Sequence, residues 1–496
     1  MKKKLLHAEG TMFRKGRKTQ TAEALWFLRA FLTLREWFSS NAPCLFVLLV
    51  TFAFTVSAQT NEPVAIRSGP VEPLTVQPDQ QSSLKKYFDP DNGLTADDAV
   101  TYATAHNGEL LAVRKEIDAA RALVKQASLR ANPALEINSA RQLDGKDNQL
   151  MVNGMWPLEL GGRRLARITV AQRELELREQ AVVDRERLIA AEVRAKFGQG
   201  LAEILKLGFT EELLANSRRG YRLVQARVTE GRTAPLEQNM VLVEVNRLRS
   251  VRETDEGRVE IALLELRNLM GMQPEEPLRL RGDFDKLIEP LLPLSEATAQ
   301  ALRSRPDLEG YRATERLAEA RILEARAQGR ADASINAGYQ RMNSSFPVFG
   351  VNDGGQLQPV QDVFNFVTFG VTVSLPVRNK NQGAIEAAVA EMDAAKQRRE
   401  FAELTIRREV ASAYAQYERA ARAMQIYRVG VKEQASTNLE VVHQTYELGS
   451  KTLLDYIAEQ RRYIELENTY IDSLLATYRA QVDIARASAS PELIKK

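Results

Sequence analysis

Apolar residues recur every seven positions along two long stretches: Ile168, Leu175, Val182 and Ile189 in the first, Val410, Tyr417, Met424 and Val431 in the second. Tyr414 and Ala421 add a second apolar position to the latter series. A seven-residue apolar repeat on a charged background predicts a narrow coiled-coil seam. No proline falls between Pro157 and Pro235 or between Pro376 and Pro491. Ala, Leu, Glu, Arg and Gln, all strong helix formers, dominate both stretches. At ~1.5 Å per residue, a helix from Gly162 to near Gly231 would be roughly 100 Å long. A compact domain has no use for that length, and on the helices alone a soluble coiled-coil rod stays open.

Four shorter segments have a period of two. In the clearest, Val367, Phe369, Val371, Val373 and Leu375 alternate with Thr368, Gly370, Thr372 and Ser374. Ala333, Ile335, Ala337 and Tyr339 do the same against Ser334, Asn336 and Gly338. Leu150, Val152, Trp156 and Leu158 share one face of a third segment, and Leu135 and Ile137 mark a weaker fourth. Asp144-Gly145-Lys146-Asp147-Asn148 is a hairpin turn between the first pair. The pattern predicts strands at about 133–141, 149–158, 331–341 and 363–375. Strands of about nine to eleven residues, apolar on one face and small and polar on the other, are the unit of an outer-membrane barrel. Four of them cannot enclose a pore, and lipid tolerates no open sheet edge, so several chains would have to pool their strands. The alternative is a pair of soluble hairpins capping a helical rod.

The elements occur twice. Pro157-Leu158-Glu159-Leu160-Gly161-Gly162 opens the first long stretch, which carries Glu192-Val193 and ends at Gly231. Leu375-Pro376 and Asn381-Gln382-Gly383 open the second, which carries Glu409-Val410 and ends at Gly449, about 218 positions later. Before the prolines the offset is about 198, as between Leu110 and Leu308. The extra residues of the second copy are expected in a glycine-rich loop at about 342–362. Boundaries follow: a first repeat over 94–285, a second over 286–490 and a tail at 491–496. The proline-rich stretch 59–93 reads as extended, and Thr95 with Asp98 as a helix cap opening the first repeat.

Composition narrows the function. The 68 basic and 65 acidic residues give a net charge of only +3, which is not the footprint of a nucleic-acid binder. Residues 44–58 form an apolar run too short for a membrane helix, ending in Val56-Ser57-Ala58 and preceded by scattered Lys and Arg. Residues 1–58 thus read as a secretory signal peptide with a long basic region; a retained signal anchor is the alternative. Cys44, the only cysteine, lies inside that run, so the exported chain would have no disulfide and no lipid-bearing cysteine. His7, His106 and His443 are far apart, and no metal site, cofactor or active site is expected. No phosphate-binding loop and no catalytic triad is found, so the chain reads as no enzyme.

A signal peptide followed by helix, hairpin, long helix, glycine turn and helix, twice over, resembles the TolC-type outer-membrane factor family across about residues 94–490. Leu-Pro-Val-Arg-Asn-Lys-Asn-Gln-Gly at 375–383 is similar to the strand–helix junction of its cation-efflux (CzcC-like) branch. The resemblance implies a mainly α fold with β: a duplicated long-helix coiled-coil unit with β-hairpins. Three chains would form an α-barrel tunnel in the periplasm and share a 12-stranded barrel in the outer-membrane lipid. It implies a homotrimeric exit duct that conducts metal cations or drugs from a periplasmic adaptor. The adaptor would join it to an inner-membrane pump, typically of the resistance-nodulation-division type. The exit duct of a type I protein-secretion system is an alternative, and a periplasmic coiled-coil protein without a pore is one of another class.

The resemblance also marks residues. Gly231 and Gly449 would be the adaptor-contacting turns at the periplasmic tip. Glu237 and Asp455, each six positions later, would line the entrance with carboxylates that attract cations. Another family acid is Ala458 here, with Glu459 adjacent. Tyr446 and Lys451 match positions that latch the closed state, with Tyr446 expected to bond Glu237; solvated helix-end charge is the alternative. Pro157, Gly161, Gly162, Pro376, Asn381 and Gly383 would shape the strand–helix junctions.

Overall fold

A computed structural model describes residues 83–288 and 291–494. The expected signal peptide and most of the proline-rich stretch lie outside the described residues. A short α1 (Leu84–Tyr87) precedes the first repeat, which contains α2 (Ala96–His106), α3 (Gly108–Ser128), β1 (Ala134–Arg141), β2 (Asn148–Pro157), α4 (Arg163–Thr229) and α5 (Pro235–Met270). After a short α6 (Phe284–Leu287) come α7 (Leu294–Ser304), α8 (Pro306–Gln328), β3 (Asp332–Val351), β4 (Leu357–Ser374) and α9 (Gln382–Ile426). A π-helical turn (Tyr427–Val431) joins α9 to α10 (Lys432–Glu447), and α11 (Leu453–Ser488) ends in a 3₁₀ turn (Pro491–Ile494).

The long stretches fold as their periodicity predicts. Helix α4 runs 67 residues without a break. Its counterpart is interrupted once, at the π turn, and the sequence carries the reason. Val193 and Val410 are both fully buried, yet the second copy has one residue more between that valine and its tip glycine. A π turn absorbs one added residue without disturbing the seam on either side.

The main core lies around the middle of the long helices. Phe197, Leu201 and Leu207 of α4 meet Leu263 and Leu266 of α5, with Leu280, Phe284 and Tyr478 closing over them. A second cluster gathers Ala301 and Leu308 on Ile406, Val410 and Ile484. The two copies hold their short helices by equivalent contacts with different chemistry. Asn107, the N-cap of α3, donates its side-chain amide to the Leu269 carbonyl at 2.8 Å. Arg305, the N-cap of α8, donates to the Ala487 carbonyl at 3.3 Å, and Leu269 and Ala487 correspond in the duplication.

The strands form one antiparallel sheet in the order β1-β2-β3-β4, with β1 and β4 at open edges. Its faces are those read from the sequence. Ile137, Val152 and Tyr339 stand in one cross-strand row with Val367, whereas Glu136 and Asn153 stand in line with Gly338 and Thr368. The apolar face is bare: Phe369 is 82% exposed and Leu135 69%. No described helix is long and apolar enough to cross a membrane.

Two expectations need correction. The extra residues of the second copy are not a loop: β3 runs to Val351, β4 starts at Leu357, and the turn is confined to 352–356. Phe346, Val348, Val351, Leu357 and Val360 favour extended backbone and outweigh the glycines. The proline-rich stretch is not extended throughout to residue 93: Leu84–Tyr87 form a helical turn, Tyr87 is buried, and only then do Phe88 and Leu94 bridge to Leu280. Leu493, in the 3₁₀ turn after α11, is fully buried in the main core.

Candidate functional site

Two places on this scaffold carry the candidate residues: the strand–helix junctions at one end of the long helices and the hairpin tips at the other. At the first junction, Glu159, Gly161 and Gly162 all have left-handed backbone, and Gly162 caps α4. An Asp332 carboxylate oxygen accepts from the Leu160 amide at 2.9 Å, and the other pairs with Arg163 at 2.8 Å. Arg163 also donates to the Arg330 carbonyl at 2.9 Å. The end of β2 is thereby tied to the start of β3, which fixes sheet to helix. At the second junction Asn381 takes the left-handed capping position of Gly162 and donates its side-chain amide to the Ala325 carbonyl at 2.8 Å. Pro157 ends β2 in its expected place, and Pro376 lies just past the end of β4. Gly383 sits inside α9 with open space where a side chain would go.

At the tips the two copies turn identically. The Gly231 amide bonds the Val228 carbonyl and the Arg232 amide the Arg227 carbonyl, both at 2.9 Å. Gly449 and Ser450 repeat this on Tyr446 and Thr445, also at 2.9 Å. Both glycines have φ above +70° and nothing within 4 Å of a built Cβ, so glycine is required there by backbone angle and not by space.

The returning helices differ, and the difference sorts the two acids. Helix α11 has a capping box: the Asp455 carboxylate accepts from the Thr452 amide at 3.0 Å and the Thr452 hydroxyl at 2.8 Å. These bonds, the backbone one first, hold the Asp455 carboxyl below the usual aspartate range. In the first copy Ala234 stands where Thr452 would be and offers no side-chain cap. Glu237 is therefore released to reach Tyr446, whose hydroxyl donates to it at 3.4 Å. Burial, then the Glu237 charge, pushes the Tyr446 hydroxyl pKa up. Tyr446 also stacks on Tyr456, with rings 6.0 Å apart and nearly parallel. The expected Tyr446–Glu237 contact is thus present as a long bond, whereas Asp455 is engaged in its own helix start. Lys451 forms no ion pair among the described residues; its charge acts on Asp455.

Sequence reading missed the buried glutamate behind the tip. Glu244, 3% exposed, receives Arg247 from its own helix at 2.6 Å and Arg461 of α11 at 2.7 Å. Burial raises its carboxyl pKa, but the two guanidinium partners outweigh that and bring it below the ordinary value. The spacing of Glu244 and Arg247 was readable; the arrival of Arg461 from the other hairpin was not. No group of three or more His, Cys, Asp or Glu able to hold a metal occurs among the described residues.

Long paired helices, reversing at one end and continuing into an amphipathic open-edged sheet at the other, define a membrane duct. Comparison with known proteins says which. Residues 100–272 and 297–490 match the outer membrane efflux protein family. The cobalt-zinc-cadmium resistance protein CzcC of Cupriavidus metallidurans is 23% identical over 400 residues, 79% of this chain and 89% of that one. The crystal structure of the channel CusC superposes with a TM-score of 0.65 at 18% identity, over 84% of this chain and 95% of that one. The open-state MtrE outer membrane channel of Neisseria gonorrhoeae gives 0.61 at 18% identity, over 83% and 93%. The chain belongs to the outer membrane efflux protein family. It is the outer-membrane exit channel of a tripartite efflux system, a passive duct whose helices extend into the periplasm.

Proposed function

We propose that three copies of this chain close one barrel and one tunnel, and that the duct discharges divalent transition-metal cations. The open-edged sheet carries the first part of this reading. Four strands with a bare apolar face cannot stand alone in lipid, and pooling them threefold satisfies the β1 and β4 edges at once. The cargo assignment rests on the relative named for cobalt, zinc and cadmium resistance. A conduit needs no tight metal site, and carboxylates at a narrow entrance raise local cation concentration. The periplasmic adaptor docks on the turns at Gly231 and Gly449, and an inner-membrane pump of the resistance-nodulation-division type supplies the energy. The protein itself catalyses nothing. Residues 1–58 act as the export signal.

A deletion strain should become sensitive to zinc, cobalt or cadmium, and a plasmid copy should restore growth. Rescue-dependent sensitivity to dyes and detergents alone would make this a drug-efflux duct, and a defect only in exported protein would make it a secretion duct.

The tip is proposed as the closing latch. Tyr446 on Glu237 holds the second hairpin against the first, and Lys451 reaches a neighbouring copy. Tyr446→Phe with Lys451→Ala should raise single-channel conductance in planar bilayers by about twofold or more. Unchanged conductance from an intact trimer would rule the latch out.

A further inference from the structure

The β3–β4 hairpin continues well beyond the β1–β2 hairpin, and its surface changes character twice on the way out. The face bearing Ile335, Val371 and Phe369 stays apolar as far as the Tyr339–Val367 pair. The Tyr339 hydroxyl then donates to Asn365 at 2.6 Å, and Arg341, Asn343, Ser345 and Gln361 take over on the same face, with Val363 opposite Asn343 the one apolar residue among them. Such a switch, with a tyrosine at the boundary, is where a lipid-facing strand leaves the hydrocarbon. Above this polar belt the hairpin turns apolar again. Phe349 pairs with Pro359 and Val351 with Leu357, and Phe349, Val351 and Leu357 are 65%, 69% and 72% exposed.

The opposite face changes as well. It is polar through Asn336, Gly338 and Thr368, then presents Phe366 opposite Gln340 and Phe364 opposite Met342. Phe346 lies edge-on to Phe364 at 6.0 Å, and Phe366 stacks on Phe364 at 6.2 Å. A register shift between Ser345 and Phe349 lies at the base of the protruding part, and irregularities of this kind bend a strand.

Lipid does not explain these side chains. The outer patch is separated from the membrane band by a polar belt roughly 20 Å long along the strand, and the aromatic cluster is on the face that would line the pore. Water does not explain them either, since an exposed hairpin bearing so many apolar residues invites association. The matching surface is the same hairpin on the other copies. Each one rises from the β4 edge, which the proposed trimer already pairs with its neighbour. From the belt to the turn it is roughly 15 Å long, enough to span the radius of about 12 Å of a 12-stranded barrel.

We infer that the three β3–β4 hairpins bend inward over the outer mouth and pack on one another through Phe349, Val351 and Leu357. The lumen-facing Phe346, Phe364 and Phe366 support them from below. The result is an apolar plug at the outer end, separate from the periplasmic tip. It obstructs hydrated solutes until the hairpins part. This inference rests on the trimeric barrel reading.

The test uses the full chain in outer membranes with Cys44→Ser, so that each introduced cysteine is alone. Leu357→Cys, treated with a mild oxidant, should give covalent dimers between copies, whereas Val367→Cys on the lipid face should not. Thr368→Cys, on the lumen face beneath the plug, should react slowly with an impermeant charged maleimide too large for general porins, added outside the cell. Adding Phe349→Ser, Val351→Ser and Leu357→Ser should speed that reaction roughly tenfold. A heat-sensitive trimer that gives no Leu357→Cys dimers, or shows Thr368→Cys labelling unaltered by the serines, overturns the plug. Absence of any trimer overturns the barrel reading instead.

Discussion

Arg305→Met should destabilise the folded protein by about 3 kcal/mol, because it strands a largely buried carboxylate. The Arg305 guanidinium pairs with Asp307 at 2.6 Å and with Glu409 of α9 at 2.7 Å, and it also reaches the Ala487 carbonyl of α11. One side chain thus ties three helices where the second core meets the long hairpin. Methionine fills much of the same volume but removes the guanidinium that Asp307 bonds, leaving only the weaker pull of the Arg187 charge. Burial alone would push the Asp307 carboxyl up; the Arg305 bonds and charge outweigh it and hold the pKa below the ordinary aspartate value.

The pH dependence follows with a definite sign. With a folded pKa below the unfolded one, the wild-type pair contributes fully above the unfolded value of about 3.9 and is lost as pH falls through the folded value. In Arg305→Met the sign reverses, because burial then acts on Asp307 with its main partner gone. The variant should recover as pH falls towards the unfolded value, so its gap from wild type should narrow between neutral pH and about pH 4. Thermal unfolding of the purified trimer at several pH values checks this. Arg305→Met with Asp307→Asn should regain part of the loss at neutral pH. A single variant as stable as wild type, or a double variant no better than the single, would show that the ion pair does not hold this junction.

The same residues show what the sequence could and could not disclose. The duplication, the uninterrupted helices and the two tip glycines are local signals, and local signals survive in one dimension. The equivalence of Asn107 and Arg305 is not local. Both meet a carbonyl from the end of a helix more than 150 positions away, and no spacing rule connects an amide in one copy with a guanidinium in the other. The hairpin from 332 to 374 was underestimated because the glycines within it suggested a loop. The freedom of those glycines was outweighed by pairing along nearly the whole length. Asp455 was assigned to the entrance on its position alone. Thr452, three residues before it, completes a capping box that the sequence spelled out. Its absence at Ala234 is what leaves Glu237 free for Tyr446.

The junction glycines should separate sharply on substitution. A side chain at Gly161 would stand 2.8 Å from the Arg330 Cβ, and its backbone has φ +73°. At Gly329, which ends α8, a Cβ would lie 2.2 Å from the Lys380 carbonyl oxygen. That close approach brings the end of α8 against the residues that lead into α9. Gly161→Ala incurs the left-handed penalty of about 1–2 kcal/mol together with crowding. Gly329→Ala forces two backbone segments apart and should cost about 2–3 kcal/mol. Gly383→Ala meets nothing within 4 Å and removes a glycine from the first turn of a helix. It should therefore be neutral or stabilise by up to about 1 kcal/mol. The three alanine variants can be compared by outer-membrane yield and by the temperature at which the trimer dissociates in detergent. If Gly383→Ala fell with the other two, the open space beside it would have to be filled by a neighbouring copy. In that case the Asn381–Gly383 segment would be part of the contact between subunits and not only a capped helix start.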